Sequence, residues 1–435
     1  MRRIRVPGDK SVSQRALILA SLASGESRLQ SLLLADDPQS TAGALRALGV
    51  DIPPLIENGA EVRIQGVGLR GLQTPPDVLD FANSGTGVRL MLGVLSGQPM
   101  TVTVTGDASL RSRPMRRVTT PLSKMGAVFR EIDEPGRLPL EVTGGTLDAL
   151  DYDSPVASAQ VKSALLLAGL ASGAFVLVSE PHRSRDHTER MLSMSGVSVV
   201  SHQAGGAWRV ELRDPPGRID PLDLEVPGDF SAAAFLLALA ILGGIEGGLA
   251  IDHVGVNPTR RGLLDVLDRM GASVVADPFE EEDGGEPVTS LRVLPSRLVS
   301  TDVGQDEVPA MIDEFPVLAI LAARAEGVTR ITGAAELRVK ESDRIRVLAE
   351  NLRAVGVQAE ELSDGLEIEG GDHPMVGRVS SHHDHRIAMA FGVLGALPNS
   401  QIEIDGADVA DVSFPGFWGT LADLTSAQTR LWRGW

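Results

Sequence analysis

The stretch VPGDKSVSQRAL begins at Val6, and VPGDFSAAAFLL begins at Val226. The signal V-P-G-D-x-S thus opens an apolar run twice, once near the start of the chain and once near its middle. Asp and Ser are favoured N-caps, so each copy predicts a strand-to-helix turn. Pro fixes φ and Gly admits unusual φ, so both stretches also suit crossovers between two domains. The two readings are compatible.

A second pattern sets the size of the repeating unit. An apolar helix end, then Gly, then an apolar strand start reads LRALGV at Gly49, LSKMGAVF at Gly126, LSMSGVSVV at Gly196, LDRMGASVV at Gly271 and LRAVGVQA at Gly356. Gly just past a last helical turn is the expected left-handed cap. A second alternating strand follows each copy: EVRIQG, LEVTGG, WRVELR, LRVLP and LEIEGG. The module is therefore mixed α/β and about 75 residues long, larger than a solenoid repeat, and the chain holds about six. Grouped three and three, they predict two pseudo-equivalent domains. With V-P-G-D at the crossovers (near 7–10 and 226–230), domain one is expected to comprise 1–8 plus 229–435, and domain two 9–228.

Composition narrows the function. Hydrophobic residues make up 43% and charged residues 23% of the 435, as in ordinary globular chains. A net charge of -18 repels polyanions, which argues against nucleic acid or a membrane surface as partner. Without cysteine there is no disulfide, thiol nucleophile or cysteine-ligated metal, and a reducing cytoplasm fits. The N-terminal MRRIRVPGDK lacks the apolar run of a signal peptide. SAAAFLLALAILGGIEGGLAI, from Ser231 to Ile251, approaches membrane-span length, but its Gly pairs and Glu246 divide it into a helix and a strand.

Among local motifs, GVGLRG at 66–71 matches a dinucleotide fingerprint, yet the prolines of the following LQTPPD forbid the required helix. SHHDHR could suggest metal, but adjacent histidines on a strand point to opposite faces, so no metal is assigned. More telling are cations beside helix starts. Lys10-Ser11 and Arg15, Asn83-Ser84-Gly85-Thr86, Ser158 and Gln160, and Arg185 sit where a helix begins or is about to begin, and GDASLRSRPM offers Arg111 and Arg113. Helix N-termini offer free N–H donors and partial positive charge. In an acidic chain, such a set predicts a cationic cleft for small, multiply charged anions. LRVKESDRI adds Arg338, Lys340, Glu341, Asp343 and Arg344, with a solvated charge run as the plain alternative. Asp313 precedes the apolar helix of MIDEFPVLAILAA, as a base or as its N-cap. Carboxylates among cations stay ionised and can act as bases.

PGDKSVSQRAL, NSGTGVRL, GDASLRSRPM, SAQVKSALLLAGL, RDHTERML, PGDFSAAAF, LRVKESDRI, DHRIAMA and SFPGFW occur in this order from residue 7 to 418. Together they resemble the 5-enolpyruvylshikimate-3-phosphate synthase family of enolpyruvyl transferases. The resemblance implies two domains of three βαβαββ units each, the inverse barrel fold. It implies transfer of the enolpyruvyl group of phosphoenolpyruvate to the 5-hydroxyl of shikimate 3-phosphate, a step towards chorismate and the aromatic amino acids. It further implies a cytoplasmic monomer without a cofactor, and a target of glyphosate.

Carried over by motif, Lys10, Ser11, Arg15, Ser158, Gln160, Arg185, Asp313 and Lys340 would hold shikimate 3-phosphate. Lys10, Gly85, Arg113, Gln160, Arg344, His385 and Arg386 would hold phosphoenolpyruvate. The catalytic group would be Asp313, Glu341, Lys10 and His385. Three departures stand out: Val412 where many members have Lys, Glu336 where some have Asn, and Ala159 where a Ser is usual. The alternatives are UDP-N-acetylglucosamine enolpyruvyl transferase, whose usual loop cysteine is absent here, and a non-catalytic phosphate-binding relative.

Overall fold

The five glycine copies share the pattern Leu-x-x-x-Gly-Val/Ala, and all five fold alike. In the computed structural model, which describes residues 1–56, 59–278 and 285–425, these glycines have φ from +77° to +106°. The amide after each glycine reaches back to the leucine carbonyl. The bonds are Val50 to Leu45 at 3.1 Å, Ala127 to Leu122 at 3.3 Å, and Val197 to Leu192, Ala272 to Leu267 and Val357 to Leu352, each at 2.9 Å. Each glycine amide bonds the carbonyl three residues back. This pair of bonds is the Schellman cap, and only a residue tolerant of the left-handed region accepts it without strain.

Four of the copies continue into the expected antiparallel hairpin. Val128–Glu131 pairs with Leu140–Thr143, Val199–Ala204 with Ala207–Leu212, Ser273–Ala276 with Val288–Leu294, and Gln358–Leu362 with Gly365–Gly370. The copy at Gly49 departs from expectation: residues 51–56 form no strand. Pro53 and Pro54 lack the N–H that a ladder needs, so only Val62–Gln65 joins the sheet there.

The described residues form two compact units, one of 1–7, 228–278 and 287–425, the other of 8–227 with 285–286. Residues 279–284 and 426–435, part of the domain expected from the sequence, lie outside the described residues. In the unit built on 8–227, Leu150–Asp153 runs parallel to Val176–Glu180, which pairs antiparallel with the 207–212 hairpin strand. Leu79–Asp80 and Thr101–Thr105 repeat that arrangement, and Asp223–Glu225 runs parallel to Glu26–Gln30 in a three-stranded version. In the other unit, Arg2–Arg5 with Leu249–Gly255 and Asp302–Val303 with Gly327–Ile331 open two four-stranded sheets, and Met375–Ser380 pairs with Ser400–Asp405. The architecture is the expected α/β one, with three modules in each unit.

Each unit is organised around buried helices: Lys10–Leu22, Gly85–Ser96 and Ala159–Ser172 in one, Phe230–Ile241, Phe315–Ala322 and His385–Gly395 in the other. Phe230–Ile241 is buried at all twelve residues, as expected for a helix apolar all round. It takes the first half of the long apolar stretch, and Leu249–Gly255 takes the second as a strand. No described helix is long and apolar enough to cross a membrane. The Gly85 and Ala159 helices approach until a Cβ on Gly93 would fall 2.1 Å from the Ala164 carbonyl oxygen.

Both V-P-G-D aspartates cap their helices. Asp9 Oδ1 accepts from Val12 N at 2.9 Å, and Asp229 Oδ1 from Ser231 N at 2.8 Å. Their own amides donate to Pro227 O and Pro7 O respectively, each at 2.8 Å. The two glycines are required by close approach rather than by φ. A Cβ on Gly8 would lie 2.0 Å from Ser31 O, and one on Gly228 would lie 2.8 Å from Val6 Cγ2 and 3.0 Å from His253 O. Ser31 and His253 both have φ +58°, so the two copies share an unusual backbone partner.

These two kinds of glycine give separable expectations. A Cβ on Gly356 meets open space, so Gly356→Ala should cost only the left-handed strain, about 1–2 kcal/mol. Gly8→Ala must displace backbone and should cost more. Denaturant midpoints of the two variants measure this; equal midpoints would contradict it.

Candidate active site

In the unit built on 8–227, Lys10 and Ser11, Gly85, and Ser158 and Gln160 lie at three helix N-termini. Lys10 is the first residue of its helix, with Nζ 3.1 Å from Asp37 Oδ2. One turn on, Arg15 is buried. Its Nε donates to Thr188 Oγ1 at 2.7 Å, Nη1 to the Ser11 carbonyl at 3.0 Å and Nη2 to Ser163 Oγ at 3.0 Å. Burial pushes the Arg15 pKa down to about 10, with Glu189 opposing and the nearby charge of Arg185 adding to the shift. It remains protonated at neutral pH. Arg185 itself is half-buried in the loop before helix His187–Met194.

Ser84 caps the Gly85 helix by accepting from Gly87 N at 3.1 Å, and it accepts Gln14 Nε2 at 2.9 Å. Gln160 is held from both sides: Oε1 accepts Arg89 Nη1 at 2.8 Å, and Nε2 donates to Thr86 Oγ1 at 3.0 Å. Arg113 Nη2 donates to Asn83 Oδ1 at 2.6 Å. A Cβ built on Gly85 would lie 3.1 Å from Nη1 of both Arg89 and Arg113. Gly85 thus lies against two guanidinium groups, where a methyl would press on both. Ser158 occupies the N-cap of its helix without capping it. Its hydroxyl accepts from Arg117 Nη2 at 3.3 Å, and its amide donates to Glu180 Oε1 at 2.8 Å.

Sequence reading missed Arg89, Arg117, Glu180 and the buried Lys162 in this unit. Arg89 was within reach of it, one helical turn after Gly85 in the motif already singled out.

In the other unit, LRVKESDRI is not a solvated charge run. Arg344 is fully buried. Its Nε donates to Asp384 Oδ2 at 2.7 Å, Nη2 donates to Glu341 Oε2 at 2.7 Å, and Nη1 lies 3.5 Å from Asp313 Oδ1. Burial alone would lower the Arg344 pKa, but Asp384, Glu341 and Asp313 together raise it. Asp384, also buried, caps the His385 helix by accepting from Arg386 N at 3.0 Å. Lys340 Nζ is 4.0 Å from Asp313 Oδ1, and Arg386 Nη1 donates to the Asp313 carbonyl at 3.2 Å. The structure therefore brings Asp313, Lys340, Glu341, Arg344 and Arg386 together, with His385 next to them in sequence.

Three expectations change. Asp313 does not cap its helix; Glu314 holds that position, and no side chain bonds there. Arg338 turns away to Asp343 and Glu361, both at 2.9 Å. His382 and His383 are not on a strand but in a turn after Met375–Ser380, with φ +48° and +61°. Of the departures, Ala159 is the first residue of its helix, while Glu336 and Val412 lie in the 3₁₀ turns Ala335–Val339 and Ala407–Val412.

Asp384→Asn would keep a capping oxygen while removing the charge that faces Arg344. Breaking a buried pair of this kind should cost about 3 kcal/mol. Urea denaturation measures it; an unchanged midpoint would show that Glu341 and Asp313 suffice for Arg344.

The model of the EPSP synthase (3-phosphoshikimate 1-carboxyvinyltransferase) family matches residues 2–421. A 3-phosphoshikimate 1-carboxyvinyltransferase from Gloeobacter violaceus is 51% identical over 423 residues, covering 96% of this chain and 95% of that protein. One from Alkalilimnicola ehrlichii is 49% identical, covering 98% and 94%. Among solved structures, EPSP synthase from Acinetobacter baumannii superposes with a TM-score of 0.84 at 41% identity, covering 97% of this chain and 94% of that one. The enolpyruvyl transferase NikO from Streptomyces tendae, 16% identical with a TM-score of 0.72, shares the fold. With a family model spanning nearly every residue and a relative this similar over 95% of its length, the chain belongs to the EPSP synthase family.

Proposed function

We propose that the protein transfers the enolpyruvyl group of phosphoenolpyruvate to the 5-hydroxyl of shikimate 3-phosphate and releases phosphate. Family membership supports the reaction. The observation that carries it to this chain's residues is the constellation of Asp313 and Glu341 around the buried Arg344. Both substrates carry a carboxylate and a phosphate, which guanidinium forks match well.

Lys10, Ser11, Arg15, Ser158, Gln160, Arg185, Asp313 and Lys340 hold shikimate 3-phosphate in this reading. Lys10, Gly85, Arg113, Gln160, Arg344, His385 and Arg386 hold phosphoenolpyruvate. Asp313 accepts the proton of the 5-hydroxyl as that oxygen bonds C2 of phosphoenolpyruvate. Glu341 delivers a proton to the methylene carbon, which becomes a methyl group. In the second half, Glu341 takes a methyl proton back, the double bond re-forms and the bond from C2 to the phosphate oxygen breaks. Phosphate leaves with its charge met by Lys10, and Asp313 returns its proton to phosphate or solvent. His385 and Arg386, at the start of one helix, favour the charge that develops. A monomer acting in the cytoplasm fits this reading of a chain without cysteine.

Purified protein should release phosphate from phosphoenolpyruvate with shikimate 3-phosphate as acceptor and not with UDP-N-acetylglucosamine. No release with the first acceptor would overturn the reading. Glu341→Gln should leave binding largely intact and lower turnover by a factor on the order of hundreds, as for loss of an acid–base group. Near-normal turnover would remove Glu341 from the mechanism.

Glyphosate should compete with phosphoenolpyruvate. Gly85→Ala sets a methyl 3.1 Å from two guanidinium nitrogens, a crowding that costs about 1–3 kcal/mol. The longer inhibitor should lose more than the shorter substrate. The ratio of inhibition constant to KM should therefore rise in the variant; an unchanged ratio would contradict contact at Gly85.

A further inference from the structure

Behind Ser158 and Arg185 lies a buried pair that the reaction above does not use. Lys162 is fully buried and Glu180 nearly so, with Nζ 3.2 Å from Oε2. Glu180 ends strand Val176–Glu180, and its carboxylate serves two loops at once. Oε1 accepts the Ser158 amide at 2.8 Å, while the Ser184 hydroxyl donates to Oε1 at 2.9 Å and to Oε2 at 2.7 Å. Lys162 Nζ in turn donates to the Ser184 carbonyl at 3.3 Å and lies 2.7 Å from Glu189 Oε1. The pair thus grips both polar ends of Ser184, the residue directly before Arg185, and ties it to the N-cap of the Ala159–Ser172 helix.

We propose that Glu180, neutralised by Lys162, is a positioning residue that sets the spacing between Ser158 and Arg185 and thereby the affinity for the phosphate of shikimate 3-phosphate. The inference rests on the assignment of Ser158 and Arg185 to that substrate. Binding groups on two separate loops work together only at a fixed distance, and small misplacements are costly. A buried ion pair is a poor device for stability alone, since apolar residues of like volume often do as well. Its value here is directional: one carboxylate fixes an amide and a hydroxyl that belong to different segments.

Ser184→Ala removes only the hydroxyl clasp, and Glu180→Gln weakens both contacts. Each should raise the KM for shikimate 3-phosphate about fivefold, the usual size of a lost hydrogen bond. The KM for phosphoenolpyruvate and kcat should stay near the wild-type values. Calorimetric titration with shikimate 3-phosphate alone should show the same loss of affinity. In an Arg185→Ala background, Ser184→Ala should add nothing further, because the clasp acts through Arg185. Wild-type affinity in Ser184→Ala, an equal rise in both KM values, or full additivity with Arg185→Ala would each overturn the inference while leaving the proposed reaction in place. Wild-type protein that binds no shikimate 3-phosphate would overturn the reaction itself and the inference with it. Should Glu180→Gln fail to fold, Ser184→Ala decides the matter.

Discussion

A helix that starts in a protein interior has amide donors that water cannot reach, and something must satisfy them. Among the described residues, six largely buried helices organise the two units, and the way their first turns are satisfied orders what surrounds them. Asp9, Ser84, Asp229 and Asp384 supply a side-chain oxygen to the first turn. Two of these caps belong to the repeated V-P-G-D, where glycine lets the backbone pass against Ser31 and His253. The remaining two starts carry Ser158 and Glu314, whose side chains do not cap. Gln160 lies two residues after the first of these and Asp313 one residue before the second, and both are assigned to substrate in the proposed reaction.

The second constraint is charge. A chain of net charge -18 nevertheless buries Arg15, Lys162, Arg260 and Arg344. Buried cations persist only when paired or fully hydrogen-bonded, and each of these has such partners. Arg344 rests on Asp384 and Glu341, and Lys162 on Glu180 and Glu189. Arg15 is hydrogen-bonded by neutral oxygens, and its burial pushes its pKa down. The carboxylates do more than neutralise. Asp384 caps the helix that carries His385 and Arg386, and Glu180 holds the amide of Ser158.

How much of this could be read from the chain depends on how far apart the partners lie. Gly after a helix is a local requirement, so Leu45 to Val50 and its four counterparts were legible in full. The prolines at 53 and 54 were equally local, yet the strength of the repeat outweighed them and the first copy was given a strand it does not form. A solvated run stayed open as an alternative for Arg344 because Asp384, the partner that pulls it inside, is forty residues away and caps another helix. Arg89 and Glu180 escaped for the same reason: Gln160 and Ser158 approach them only through packing of separate elements. His382 and His383 were misplaced on a strand because nothing nearby marks the turn that feeds the Asp384 cap. Residue roles came from the resemblance, since spacing alone left the charge run undecided.

The central claim is that carboxylates gathered on a buried arginine run an addition followed by an elimination at one carbon. In heavy water that sequence leaves a trace, since the methylene carbon becomes a methyl group and then loses one of three hydrogens. Proton and phosphorus NMR on one sample of protein, phosphoenolpyruvate and shikimate 3-phosphate would follow both events. The account expects inorganic phosphate to appear together with deuterium in the methylene group of the product. Phosphate release with a methylene group that stays fully protiated would contradict it.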